Sequence, residues 1–142
     1  LEIRPANDKM SLTSGQGDFA HLSGLLTVLA ADMSKIAKDL RFLASGPSGG
    51  IGEIRLKSLQ PGSSIMPGKV NPVIPEAINQ IFYFIAGKNV TIQKAVEDAH
   101  LELGIMFPII ADCLITCLKT IQTGVEIFTD KCIQTCPNVT IT

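Results

Sequence analysis

Residues 62–72 read Gly-Ser-Ser-Ile-Met-Pro-Gly-Lys-Val-Asn-Pro, and most of the chain's candidate chemistry lies in this run. Lys69 offers a cation and Asn71 a neutral donor two residues on. In an extended loop both side chains point to one side, which suits a carboxylate. Ser63 and Ser64 follow a glycine that lets backbone N–H groups approach a ligand. A serine beside fixed N–H groups and a lysine can be stabilised as an oxyanion, and so act as a base or nucleophile. Better-known loops fail on spacing. Walker A needs four residues between its glycines, but five separate Gly62 from Gly68, and Val70 stands where Ser or Thr must follow the lysine. Met66 takes the place of the second glycine of a nucleophile elbow. No G-x-G-x-x-G follows a strand. A plain surface turn would not need Ser, Lys and Asn packed together.

The elements that must hold this loop are helical. Over residues 18–44, Leu26, Leu29, Met33, Ile36, Leu40 and Leu43 recur at heptad spacing, the seam of a helix packing lengthwise against others. Lys35, Lys38, Asp39 and Arg41 form its polar face. Ser45-Gly46-Pro47 ends it, with a glycine past the last turn and a proline that forbids continuation. A helix of about 25 residues is nearly 40 Å long and calls for a bundle of similar partners. Residues 46–75 then lose all periodicity and hold six of the twelve glycines and five of the eight prolines. A loop of that length inside a compact domain points to function. Only Ile54-Arg55-Leu56 offers a short extended piece.

A second helix is predicted from Pro75, with Glu76 complementing the dipole. Ile78, Ile81, Phe82 and Ile85 form its apolar face. A break or kink is predicted at Gly87-Lys88-Asn89, with a continuation carrying Ile92 and Val96 to about His100. A third helix is predicted from about Ile105, with Pro108 in its first turn. Its apolar face is Met106, Ile109, Ile110, Cys113, Leu114, Cys117, Leu118, Ile121, Val125 and Phe128. It frays near Cys136-Pro137.

Composition narrows the class. The 142 residues are 46% hydrophobic and 18% charged, with a net charge of −1. That excludes a disordered chain and argues against a nucleic-acid or polybasic membrane binder. Aromatic residues are only 5%, so the apolar mass is aliphatic, as in long helices. No secretory signal opens the chain. The longest uncharged apolar-rich runs, such as residues 77–87, are about half of the ~20 residues a membrane span needs. The four cysteines, Cys113, Cys117, Cys132 and Cys136, read as buried free thiols of a cytoplasmic protein rather than a metal site. His21 and His100 fall in no motif. Gln16, Asp18 and Glu53 read as caps or surface residues. The start at Leu1 suggests a piece of a longer protein.

Residues 62–71 resemble the signature of the aspartase/fumarase superfamily, GSSxMPxKxN, at all seven fixed positions. The likeness extends outward. Residues 40–54, LRFLASGPSGGIGEI, resemble the helix end and turn that precede this loop in such lyases, although Ser48 stands where an arginine is common. The run Asn71-Pro72-Val73-Ile74-Pro75-Glu76 is similar to the aspartate ammonia-lyase branch, whereas fumarases more often carry Thr-Gln after Asn-Pro. The resemblance covers roughly residues 18–132.

It implies an all-α fold: part of a central domain of long helices, with the signature loop at about residues 61–75. It implies a lyase that removes a proton next to a carboxylate, forms an aci-carboxylate dianion and expels the β-substituent to give fumarate. Ser63 matches the catalytic base. Lys69 and Asn71 match residues that hold the substrate carboxylate. Ser64, Ile65 and Met66 lie on the loop that closes over substrate, and Glu76 matches a carboxylate that orients a histidine. The substrate would be a small dicarboxylate, L-aspartate or fumarate, with no cofactor and no metal. The assembly would be a homotetramer, with active sites built from three subunits. Two other active-site regions of the family have no counterpart here, so these residues alone are expected to be inactive or nearly so. The alternatives are fumarate hydratase or a lyase of another succinyl compound, and a non-catalytic helical bundle that serves as an interaction module.

Overall fold

The computed structural model describes residues 2–46 and 48–136. Pro47 and Pro137, two of the predicted helix-ending positions, lie outside the described residues. The structure is all-α. It comprises α1 (Lys9–Ser14), α2 (Gly17–Leu43), α3 (Val73–Glu97) and α4 (Phe107–Phe128), the last followed by a π-helical turn, Thr129–Ile133. Among the described residues there is no strand, only an isolated bridge between His100 and Leu103. Residues 54–56 are irregular rather than a strand.

The predicted helices are present with revised limits. α2 matches to within a residue at each end. α3 begins at Val73, two residues before Pro75. The first-turn N–H groups of a helix have no intrahelical acceptor, so a proline at the third position costs nothing. The predicted break at Gly87-Lys88-Asn89 does not occur, and α3 runs through it without interruption. A helix-interior glycine costs only about 1 kcal/mol. Ile85 and Ile92, one heptad apart on either side of it, are both fully buried and hold the helix across the weak point. α4 begins at Phe107, so Pro108 is its second residue. α1 went unpredicted. Its start is marked by Asp8, whose carboxylate accepts from the Ser11 N–H at 3.0 Å.

The chain divides into two compact units. The first combines the segment through Leu29 with Phe84–Lys119. Within it, Phe19 and Phe107 meet edge to face at 5.3 Å between centroids. Ser23 donates to the Asn89 side-chain oxygen at 2.8 Å, and Lys88 pairs with Asp112 at 3.7 Å. Gln16 directly precedes α2, where its carbonyl accepts from the Phe19 N–H at 3.1 Å, but it is not a surface residue. It is buried, and its amide donates to the Gly104 carbonyl at 3.2 Å. The second unit combines Ala30–Tyr83 with the segment from Thr120. Here α4 approaches α3 so closely that a Cβ on Gly124 would lie 2.8 Å from Ile81 Cδ1, so a larger residue would require the Ile81 side chain to move.

Burial revises two seams. On α2 the buried positions are Ser23, Leu26, Ala30, Met33, Ala37 and Leu40, again at 3,4 spacing, with Ser34 buried beside them, while Leu29 and Ile36 are about half exposed. On α4, Ile110, Cys113, Cys117, Ile121 and Phe128 are buried as predicted, but Ile109, Leu118 and Val125 are exposed. The run Phe107–Ile133 is also long and apolar enough, by length and composition, to cross a membrane, which revises the expectation that no segment approaches that length. Asp112 and Lys119 interrupt its uncharged stretches without ending the helix, and a buried bundle helix passes the same test.

All four cysteines are free and buried. Burial pushes the Cys117 thiol up, as does Cys113, against a smaller opposing effect of Lys88. Burial, then Cys136, pushes Cys132 up to about 11 from 9.0. The folded state therefore holds the Cys132 proton more tightly than the unfolded chain does. This contribution to stability is intact below pH 9 and is lost as pH rises through 11. The urea midpoint is expected to fall over that interval, and Cys132→Val should flatten the fall. An unchanged pH slope in the variant would refute the assignment.

Candidate active site

The site loop lies within the second unit. Its two ends are tied together: the Gly62 N–H donates to the Lys69 carbonyl at 2.8 Å, and the Asn71 side-chain amide donates to the Gly62 carbonyl at 3.3 Å. The approach is tight. A Cβ on Gly62 would lie 2.7 Å from the Lys69 oxygen. Gly68 turns the chain back with φ +78, a conformation that other residues rarely adopt. Ser63 is half-buried inside this closed turn. Its Oγ accepts from the Ile65 N–H at 3.1 Å and the Met66 N–H at 3.2 Å. Two donors on one hydroxyl oxygen favour its deprotonated form, because each bond strengthens when the oxygen becomes an anion.

Two concavities flank the loop. A hollow of about 330 Å³ is lined by Ser63, Met66 and Lys69, among others. A larger cleft of about 1030 Å³ is lined by Lys69, Asn71 and Glu76. Lys69 thus borders both, Ser63 only the first, and Asn71 and Glu76 only the second. Ser64 is exposed and lines neither. Ile65 and Met66 are also exposed, at the loop tip.

Glu76 sits in the first turn of α3, where its charge meets the positive end of the helix dipole. Its carboxylate lies 3.8 Å from Arg41 Nη2 near the end of α2. Arg41 Nη1 donates to Asn79 Oδ1 at 2.9 Å, and Asn79 donates to both the Ser34 carbonyl and the Ser34 hydroxyl at 2.9 Å. This Arg41–Asn79–Ser34 chain is buried at its inner end and fixes α3 against α2 beneath the loop. Sequence reasoning missed it, since its members are 38 and 45 residues apart and have no local signature. Arg55 was also missed. It lines the large cleft, and its carbonyl accepts from the Cys136 thiol at 3.5 Å. Among the described residues, no group of three or more His, Cys, Asp or Glu side chains could hold a metal ion.

The helical fold and the closed Ser-Lys-Asn loop are those expected of the aspartase/fumarase superfamily. Residues 1–87 match the family described as lyase, and the chain belongs to that family. It is 44% identical over 131 residues to the aspartate ammonia-lyase of Pseudomonas aeruginosa, covering 92% of this chain and 28% of that protein. It is 42% identical over 133 residues to fumarate hydratase class II 2 of the same organism, covering 94% of this chain and 29% of that protein. Among solved structures, the fumarate lyase:delta crystallin of Brucella melitensis in native form superposes with a TM-score of 0.90 at 39% identity, covering 96% of this chain and 32% of that one. The chain spans under a third of the length of these relatives.

Proposed function

We propose that this chain carries the signature loop of an ammonia-lyase that interconverts L-aspartate with fumarate and ammonia, acting in a homotetramer in the cytoplasm. The observation that carries the reading is the Ser63 hydroxyl held by two backbone N–H groups beside Lys69. As an alkoxide, Ser63 takes a proton from the carbon next to the substrate's β-carboxylate. The electron pair moves into that carboxylate and forms an aci-carboxylate dianion. Lys69 and Asn71 hold this charge as it develops, where preorganised donors act most strongly. The pair then returns to form the carbon–carbon double bond, and ammonia leaves from the adjacent carbon. Ser64 and Met66 sit on the loop tip, whose closure excludes water and strengthens each of these contacts. Glu76 serves as a supporting charge at the floor of the cleft.

A fumarate hydratase is the second reading, because a class II fumarate hydratase matches at nearly the same identity. The discriminating experiment places this segment in a polypeptide of the relatives' length and measures fumarate formation from L-aspartate and from malate. Faster turnover of L-aspartate is expected. Turnover of malate alone would establish the hydratase, and turnover of neither would support a non-catalytic helical module.

A further inference from the structure

The large cleft carries more positive charge than a small dicarboxylate uses. Its walls present four cations, Lys38, Arg41, Arg55 and Lys69, against a single carboxylate, Glu76. Glu76 is already paired with Arg41. Among the described residues, Lys38, Arg55 and Lys69 make no ion pair. Two of the four are also positioned. The Arg41 guanidinium is anchored by Asn79, and the Arg55 backbone is anchored by the Cys136 thiol. At about 1030 Å³ the cleft reaches the upper end of the range for small-molecule sites, well beyond what a four-carbon acid fills. Like charges gathered around one concavity repel each other and raise the local concentration of anions.

We propose that this cleft binds a small polyanion carrying several phosphate or carboxylate groups, held by Lys38 and Arg41 from α2 and by Arg55 and Lys69 from the loop. Such a ligand would share Lys69 with the dicarboxylate at Ser63 but be held chiefly by Lys38, Arg41 and Arg55, which the lyase reading does not use, and the proposal rests on the charge of the cleft rather than on that reading. Lys69, which borders both concavities, is the point at which occupancy of the cleft would be felt at the reacting centre.

The test is calorimetric titration of the chain in ~0.1 M salt with inorganic pyrophosphate, citrate and succinate. Pyrophosphate or citrate is expected to bind at least about tenfold more tightly than succinate, and the tighter of the two distinguishes phosphate from carboxylate chemistry. The double variant Lys38→Gln with Arg55→Gln should lose at least about tenfold in affinity with unchanged helical circular dichroism. Arg41 is left intact because it bonds Asn79. Arg55→Lys, which keeps the charge, should retain binding and guards against a folding defect in the double variant. Ser63→Ala should bind as the parent does. Three results would overturn the proposal: no preference over succinate, a double variant that binds like the parent, or loss of binding in Ser63→Ala. None of these depends on turnover, so failure here leaves the lyase reading standing, and failure of that reading leaves this one.

Discussion

Ser63→Ala is expected to lower fumarate formation from L-aspartate by about 10²–10⁴-fold, measured in a polypeptide of the relatives' length that carries this segment. The substitution removes one oxygen, and with it the bonds from the Ile65 and Met66 N–H groups, but leaves the ties that close the loop. Gly62 still bonds Lys69, and Asn71 still bonds Gly62, since neither bond involves the Ser63 side chain. The affinity for fumarate should therefore change little while kcat collapses. That split is the mark of a group whose interaction is made in the transition state rather than with the bound substrate. Helical circular dichroism should not change, because the loop lies outside α2 and α3. Turnover within about twofold of the parent would remove Ser63 from the role of base and move the search to groups outside this segment.

The loop could be read in the sequence because its chemistry is local. Ser63, Lys69 and Asn71 lie within nine residues, and the glycines that close the turn stand among them. The floor of the site could not. Arg41, Asn79 and Ser34 come together only once α2 and α3 pack, and nothing near any of them announces the pairing. The errors on α2 have a related cause. Large aliphatic residues suggested Leu29 and Ile36 as seam positions, but the helix buries Ala30, Ala37 and Ser34 instead. Close helix contact favours small side chains, and Ser34 supplies the hydroxyl and carbonyl that Asn79 needs. Reading apolar size alone rotates the predicted face away from the real one. The false break at Gly87 has the opposite origin: a local signal was given full weight although tertiary burial of Ile85 and Ile92 outweighs it.

Gly62→Ala should damage activity nearly as much as removing a catalytic group, without touching one. The added methyl would lie 2.7 Å from the Lys69 carbonyl oxygen, a distance real Cβ atoms essentially never show, and 3.0 Å from its carbonyl carbon, tighter than most. The obstacle is backbone, so no side-chain rotation relieves it. The turn must open, and opening lengthens the Gly62–Lys69 bond and pulls the Gly62 carbonyl from the Asn71 amide. Lys69 and Asn71 then shift relative to Ser63. A misplacement of about 1 Å in a catalytic constellation costs about 10²-fold in rate. Turnover should fall by that order and KM should rise, because the carboxylate-holding residues move in the ground state too. This combination separates the variant from Ser63→Ala, where KM is expected to hold. Gly87→Ala provides the control. It meets nothing within 4 Å, lies in the interior of α3, and should raise stability by about 0.5–1 kcal/mol with turnover unchanged. If Gly62→Ala keeps full activity, the clamp between residues 62 and 69 does not position the site, and the order of the loop must come from elsewhere.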